Sequence, residues 1–362
     1  MRVLVTGGAG FVGSHVVDAL AQRGAEVRVL DALHPAAHSG EPGYLNPRAD
    51  YVWGDVRDEA LVERLLQGVD AVSHQAAMVG LGVDPADVAE YASVNDLGTA
   101  VLLRALWRSG FRGRLVLASS MVVYGEGRYR CSTHGVIRPR PREEADLARG
   151  RFDPLCPTCA EALAPEEVTE NASLDPRNVY AATKVHQEHL GAAVAREAGF
   201  PFAALRYHNV YGPRMPSNTP YAGVASLFRS ALAEGKSPRV FEDGGQRRDF
   251  VHVQDVARAN VLAVTLEPPP GGAFNVASGS PRTVGEMARA LASAFGPGHP
   301  RPIVTGEYRL GDVRHVFASI ERIRERMGFV PAMGFEEGMR AFAGEQARAP
   351  VGCEVAHNRN SG

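Results

Sequence analysis

The sequence predicts an α/β fold, a doubly wound parallel sheet with a smaller C-terminal α/β region, and three observations predict it. Short β-branched runs alternate with helix-period stretches through the first 125 residues. A glycine triad stands between the first such run and the first helical stretch. With 362 residues, 45% hydrophobic and 22% charged, the chain has the length of two domains and an ordinary globular composition. Strands separated by helices at this spacing need crossover connections, hence a mostly parallel sheet.

Residues 2–6 (RVLVT) read as a buried strand, and 11–23 as a helix that starts directly after glycines. VRVLD at 27–31 and YVWGD at 51–55 are the second and third strands. Residues 57–67 form an amphipathic helix with Val62, Leu65 and Leu66 on one face. A fourth strand follows at 70–77, a helical stretch at 86–109 and a fifth strand at 114–120. The pattern breaks at 126–178, a segment rich in Arg, Pro and Glu, with three cysteines and no clear periodicity. A helix at 179–198 restores it, followed by a strand-like run at 203–212, a Pro-rich loop and a helix near 221–234. Strand-like pieces at 238–241 and 248–253 and helical stretches near 254–265 and 283–295 complete the chain, with a loose tail from about Pro350. No internal repeat is visible.

The formal net charge of −2 leaves no electrostatic footprint for nucleic acid or an anionic membrane. No apolar run is long enough for a membrane helix. Glycines interrupt the N-terminal run before a signal-peptide core forms, so the expectation is a cytoplasmic protein. Of 39 basic residues only Lys184 and Lys236 are lysine, so a lysine position carries more weight than usual.

Gly7, Gly10 and Gly13 are spaced three apart around Phe11 and Val12, between strand and helix. Gly7 allows the tight turn, Gly10 lets the backbone approach a pyrophosphate, and Gly13 lets the helix pack closely. The helix N-terminus then offers free N–H groups to the anion. Asp31 lies 18 residues beyond Gly13, where a carboxylate accepts hydrogen bonds from an adenosine ribose diol and repels a 2′-phosphate. This points to NAD, the alternative being that Asp31 caps a turn. Asp55 and Val56, at the end of the third strand, stand where the adenine would lie. Tyr180 and Lys184 lie one helical turn apart, and an ammonium beside a phenol favours phenolate. Ser120 ends the fifth strand, at the sheet edge where α/β folds bind ligands, and its hydroxyl suits holding a substrate oxygen.

These motifs together resemble the extended short-chain dehydrogenase/reductase superfamily, in particular its NAD-dependent nucleotide-sugar epimerases and dehydratases. The resemblance covers about residues 1–345 apart from 126–178, and includes Asn95 in SVNDLGT, LRYHNVYGPR at 205–214, GGQRRDFVHVQDV at 244–256, FNVASG at 274–279 and RLGDVRH at 309–315. It implies a Rossmann-type sheet at 1–205 carrying the insertion, a nucleotide-sugar-binding region at 206–350 with the chain crossing between the two, and a tail at 351–362. Carried over by residue, Ser120, Tyr180 and Lys184 form a catalytic triad, with Lys184 also on the nicotinamide ribose. Gly7, Gly10, Phe11, Val12, Gly13, Asp31, Asp55, Val56 and Ala76 line the NAD site. Ser120, Met121, Asn209, Arg248 and Arg309 face the sugar nucleotide, the arginines gripping its diphosphate or the adjoining ribose.

Dehydratases of this family carry an Asp-Glu pair directly after the catalytic Ser or Thr. Met121 and Val122 stand there instead and can transfer no proton, so dehydration is disfavoured. A 4-epimerase remains, oxidising C4 transiently and reducing it again. The stretch 212–256 is most similar to dTDP-L-rhamnose 4-epimerases, which interconvert dTDP-L-rhamnose and dTDP-6-deoxy-L-talose. The alternatives are an NAD(P)-dependent nucleotide-sugar oxidoreductase such as a 4-ketoreductase, and a non-catalytic NAD-binding relative. The resemblance also implies a homodimer built from the helices near 90–109 and 180–198, with His186, Gln187 and His189 as interface or surface residues.

Cys131-x-x-His134 and Cys156-x-x-Cys159 are two ligand pairs joined by 21 residues, the spacing of a tetrahedral zinc knuckle. Four protein ligands would make the metal structural. The other reading is a surface insertion whose cysteines are incidental.

Overall fold

A computed structural model describes residues 1–35, 37–38, 40–80, 85–216 and 223–345. The expected tail from Pro350, with Cys353, lies outside the described residues. The apolar runs become seven strands of one sheet: β1 (Arg2–Thr6), β2 (Glu26–Asp31), β3 (Ala49–Trp53), β4 (Ala71–His74), β5 (Arg114–Ser120), β6 (Phe202–Tyr207) and β7 (Gly272–Val276). Their order is β7-β6-β5-β4-β1-β2-β3, every neighbouring pair parallel. The order reverses at β1/β4, which opens a crevice at the C-terminal ends of those strands.

Side-chain alternation divides the core. Val3, Val5, Val27 and Val29 bury one face against helices α1 (Phe11–Gln22) and α6 (Val253–Thr265). Leu4 and Leu30 bury the other against α2 (Glu59–Leu65), α3 (Gly98–Arg108) and α4 (Val179–Ala198). Val16, Val17 and Leu20 of α1 are wholly buried, each contributing about 1.5–3 kcal/mol. Asp58 and Asn178 cap α2 and α4 by accepting from Leu61 N at 3.0 Å and Ala181 N at 2.8 Å. The expected helix at 86–109 is interrupted by a π-helical segment, Ala92–Leu97. Among the described residues no helix is long and apolar enough to cross a membrane.

The run expected as one strand at 203–212 divides between two sheets. β6 stays in the large sheet, whereas Asn209–Tyr211 pairs with Phe250–His252. A further core of Tyr211, Phe228, Leu232, Phe250, Met287, Leu291, Met339 and Phe342 joins α5 (Val224–Ala233), α7 (Val284–Phe295) and α8 (Phe335–Ala343). From within that C-terminal region the chain returns to the large sheet as β7. The insertion, unpatterned in sequence, holds a three-stranded antiparallel sheet of Gly135–Ile137, Arg128–Cys131 and Ala164–Glu166 in that spatial order. Strands of three or four residues are too short to display a period of two.

Gln187 is not at the surface. It is fully buried, its Nε2 donating to Thr99 Oγ1 at 2.5 Å and to Asn95 O at 3.1 Å. Its register, three residues after Lys184, turns it toward α3. His186 and His189 are exposed, and His186 stands 3.2 Å from Asp96.

Candidate active site

The turn from β1 into α1 is a backbone cradle. Gly7 adopts φ +69°, and a Cβ there would lie 2.6 Å from Ala76 N. A Cβ on Gly13 would meet Gly7 O at 2.1 Å. Both positions therefore exclude a side chain and bring α1 hard against the elbow. No side chain caps α1, so its first-turn N–H groups face a cavity of about 1050 Å³. Gly7, Gly10, Phe11, Val12, Gly13, Asp31, Asp55, Val56 and Ala76 all line that cavity. Asp31, buried at the end of β2, accepts from Ala9 N at 2.9 Å and Leu33 N at 2.8 Å. These bonds hold its carboxylate at the mouth of the glycine turn. Asp55 is clamped by the Arg57 guanidinium at 2.5 Å, which keeps its carboxyl below the usual range. An uncapped helix end above a glycine elbow, with a fixed carboxylate one strand away, fits a dinucleotide.

Ser120, Tyr180 and Lys184 line the middle of the same cavity. Ser120 closes β5, opposite Tyr207 of β6. Tyr180 stands in the first turn of α4, and Lys184 one turn on, its Nζ donating to Ala118 O at 2.9 Å. That Nζ lies 5.7 Å from the Tyr180 ring centroid. Lowering of the phenol pKa by the lysine is not what these side chains produce alone. Burial raises Tyr180 above the ordinary phenol value, opposed by the Ser120 hydroxyl beside it. Burial also pushes Lys184 down to about 7, against the pull of Glu188 and Asp96. Desolvation outweighs the pairing because both groups are enclosed.

Asn95, in the π-helical segment, clamps this centre. Its Oδ1 accepts from Met78 N at 2.7 Å, and its Nδ2 donates to Met78 O and Thr183 Oγ1, each at 3.0 Å. The loop after β4 is thereby tied to the helix carrying Tyr180. Beneath lies a buried network that the motifs do not name. Arg206 grips Glu188 through Nε and Nη2 at 2.9 and 2.7 Å. Ser119 donates to Glu188 at 2.5 Å, and Arg206 Nη1 donates to Tyr124 OH at 2.8 Å. Its one sequence signal is spacing: Tyr180, Lys184 and Glu188 recur at four residues on one helix face.

Met121, Asn209, Arg248 and Arg309 line the far end, so the cavity gathers every expected cofactor and substrate residue. Asn209 Oδ1 is buried without a hydrogen-bond partner. Arg248 is anchored by donating to the carbonyls of Arg247, Arg314 and Val313 at 2.8, 2.9 and 2.6 Å. Arg309 lies over the Phe241 ring at 5.1 Å. Lys236 and Arg239 line this end too. Neither belongs to the motifs above, although Lys236 is one of only two lysines. Four cations at one end suit a diphosphate. His208 between the two ends is held neutral, its pKa lowered to about 3 by burial. Cys131, His134, Cys156 and Cys159 converge elsewhere, in the insertion.

Residues 3–277 match the NAD dependent epimerase/dehydratase family. The chain is 33% identical over 347 residues to a dTDP-L-rhamnose 4-epimerase from Burkholderia thailandensis, covering 93% of each chain. The chain belongs to this family. Among solved structures, the epimerase/dehydratase fold here is similar to UDP-glucose 4-epimerase of Thermotoga maritima with UDP-glucose (TM-score 0.75, 30% identity, 95% of this chain and 97% of that one). It is equally similar to Thermus thermophilus UDP-glucose 4-epimerase in complex with NAD (TM-score 0.75, 31% identity, 95% and 98%). The Thermus thermophilus structure holds NAD, and the chain is an enzyme of the epimerase/dehydratase family.

Proposed function

We propose that this enzyme is a nucleotide-sugar 4-epimerase with resident NAD, acting on dTDP-L-rhamnose and dTDP-6-deoxy-L-talose. The observation that carries it is the single cavity in which Ser120, Tyr180 and Lys184 stand between a dinucleotide cradle and a cationic end, with Met121 and Val122 beside Ser120. Gly7, Gly10, Phe11, Val12, Gly13, Asp31, Asp55, Val56 and Ala76 would hold NAD, which when bound supplies the acceptor and then the donor of the C4 hydride. Tyr180 takes the proton of the 4-hydroxyl as phenolate and later returns it, the positive charge that NAD would bring beside it offsetting the burial that raises the phenol in these side chains alone. Ser120 hydrogen-bonds the same oxygen and keeps it on the tyrosine through both half-reactions. Lys184, poised near neutrality, balances the charge on the phenolate. Arg248, Arg309, Lys236 and Arg239 hold the diphosphate, and Asn209 offers it an amide, while the sugar turns to present its other face. Met121 and Val122 offer no acid or base for water loss.

The dTDP-L-rhamnose assignment is supported by the 33% identical relative of that name. The homodimer is supported by Val88, Leu97 and Trp107, large apolar residues exposed along the helical stretch that ends in α3. Free cysteines suit the reducing cytoplasm, where nucleotide sugars are handled.

Purified protein, with no added cofactor, is incubated with dTDP-L-rhamnose and a panel of UDP- and GDP-sugars. Products are separated by chromatography while absorbance at 340 nm is followed. An isomer of unchanged mass without net NADH is expected, first from dTDP-L-rhamnose. Turnover that requires added cofactor and tracks the 340 nm signal would make the enzyme a net oxidoreductase instead.

A further inference from the structure

We propose that Cys131, His134, Cys156 and Cys159 form a structural zinc site that closes the insertion against the cationic end of the cavity. Two turns bring the four together. Cys131 ends the strand Arg128–Cys131, and the turn to Gly135 (φ +72°) folds His134 back over it. The turn through Pro157 and Thr158 sets Cys159 beside Cys156. Backbone N–H groups of Thr133 and His134 point at the Cys131 sulfur, and those of Thr158 and Cys159 at the Cys156 sulfur.

Three of the six separations are those of a coordination shell. Nδ1 of His134 lies 3.5 Å from Sγ of Cys131 and 3.5 Å from Sγ of Cys156. The Cys131 and Cys159 sulfurs are 3.6 Å apart, and all four ligand atoms fall within 4.8 Å of one another. A tetrahedron with Zn–S of about 2.3 Å and Zn–N of about 2.0 Å has S···N edges of about 3.5 Å and S···S edges of about 3.8 Å. Disulfide sulfurs stand about 2.05 Å apart, so no pair here is bonded. Three thiols and an imidazole select zinc over the hard cations, and four protein ligands leave no open position for chemistry.

The insertion needs such a staple. Its own buried core is Tyr129, Cys131, Cys156 and Leu163, too little to order some fifty residues. The segment between His134 and Cys156, which the metal would close, reaches the cavity wall. Arg142 donates to Glu242 Oε1 at 2.7 Å and to Asp312 O at 2.6 Å. Asp153 accepts from Arg314 Nε at 2.8 Å and stands 3.1 Å from His315 Nε2. Glu242 and Asp312 line the cavity with Arg248 and Arg309. The metal therefore fixes that wall, a consequence that rests on the function proposed above, whereas zinc binding itself does not.

Full-length protein grown with zinc and kept reduced is assayed for metal by mass spectrometry, then stripped with a mercurial and chelator and reloaded with Co²⁺. One zinc per chain and the absorption bands of tetrahedral thiolate-bound cobalt are expected. Cys156→Ser and Cys159→Ser should hold less than about a tenth of that zinc, and Cys353→Ser all of it. Wild-type protein that takes up no zinc from micromolar excess, or Cys156→Ser and Cys159→Ser retaining it fully, would overturn the site. Should those variants fail to fold, the wild-type stoichiometry and cobalt spectrum still decide. Stripped protein should show KM for its nucleotide sugar raised about tenfold with kcat nearly unchanged. An unchanged KM would overturn the wall's dependence on metal and leave the zinc result standing.

Discussion

Gly13→Ala isolates the packing that makes the dinucleotide cradle. The residue lies inside α1 with ordinary helical φ, so alanine carries no backbone strain there. Its Cβ, however, would fall 2.1 Å from Gly7 O, 2.9 Å from Gly7 C and 3.0 Å from Gly8 Cα. Non-bonded contact needs about 3.5 Å, so α1 must withdraw from the elbow by about 1.4 Å. All three contacts are backbone, and no rotamer change relieves them. Overpacking of this kind costs about 1–3 kcal/mol. The first-turn N–H groups also retreat from the pyrophosphate by the same distance, enough to weaken NAD binding roughly 100-fold. NAD released by denaturation is measured by enzymatic cycling, and thermal unfolding is followed in parallel. The variant should purify largely free of NAD and melt several degrees lower. Gly24→Ala is the control: φ is +77° there with nothing within 4 Å, so it loses about 1 kcal/mol to strain and keeps its NAD. Wild-type NAD content in Gly13→Ala, or equal loss in Gly24→Ala, would refute the steric argument.

Tyr180→Phe should lower kcat about 10²- to 10⁴-fold at unchanged NAD content, and near-full activity would remove Tyr180 from its role. Lys184 titrates near 7 when folded, against about 10.4 unfolded. Its contribution to stability is therefore complete above pH 10.4 and declines as pH falls toward 7. Urea unfolding of NAD-free protein should show the wild type gaining on Lys184→Met between pH 7 and 10, by on the order of 5 kcal/mol in total, and a flat difference would contradict the burial. Glu188→Gln leaves the buried Arg206 uncompensated and should destabilise by about 3–5 kcal/mol. The double variant with Arg206→Met should recover part of this, and additive losses would break the assigned pairing. Asp31→Asn should shift cofactor preference toward NADP, read as the ratio of the two dissociation constants.

Much of the fold was legible because its signals are local. The glycine triad and the runs of β1, β2 and β5 each lie within a dozen or so residues, and the helical stretches between strands imply parallel pairing. The same holds for Ser120, Tyr180 and Lys184, whose motifs are short. What escaped depends on long separations. Glu188 meets Ser119 and Arg206 across 69 and 18 residues, and Asn95 meets Thr183 across 88. No window of periodicity registers such pairs. Gln187 is buried rather than at an interface or surface for a related reason. A polar side chain on a helix looks solvent-facing until its partners, Thr99 and Asn95 O on another helix, are in place.

The bend after β6 shows why the substrate end was harder to read than the cofactor end. Tyr207, His208 and Asn209 all line the cavity, although successive residues of a strand point to opposite faces. Three in a row can do so only where the chain leaves strand geometry. The main-chain bonds show it leaving there: His208 N donates to Val276 O of β7 at 3.0 Å, and Asn209 N to Asp249 O at 2.9 Å. One peptide thus belongs to the large sheet and the next to the small one. Read as a continuous strand, the run 203–212 would have sent His208 away from the ligands. The switch instead turns Asn209 toward the cationic end while Tyr207 stays opposite Ser120, and so joins the two halves of the site through a single residue.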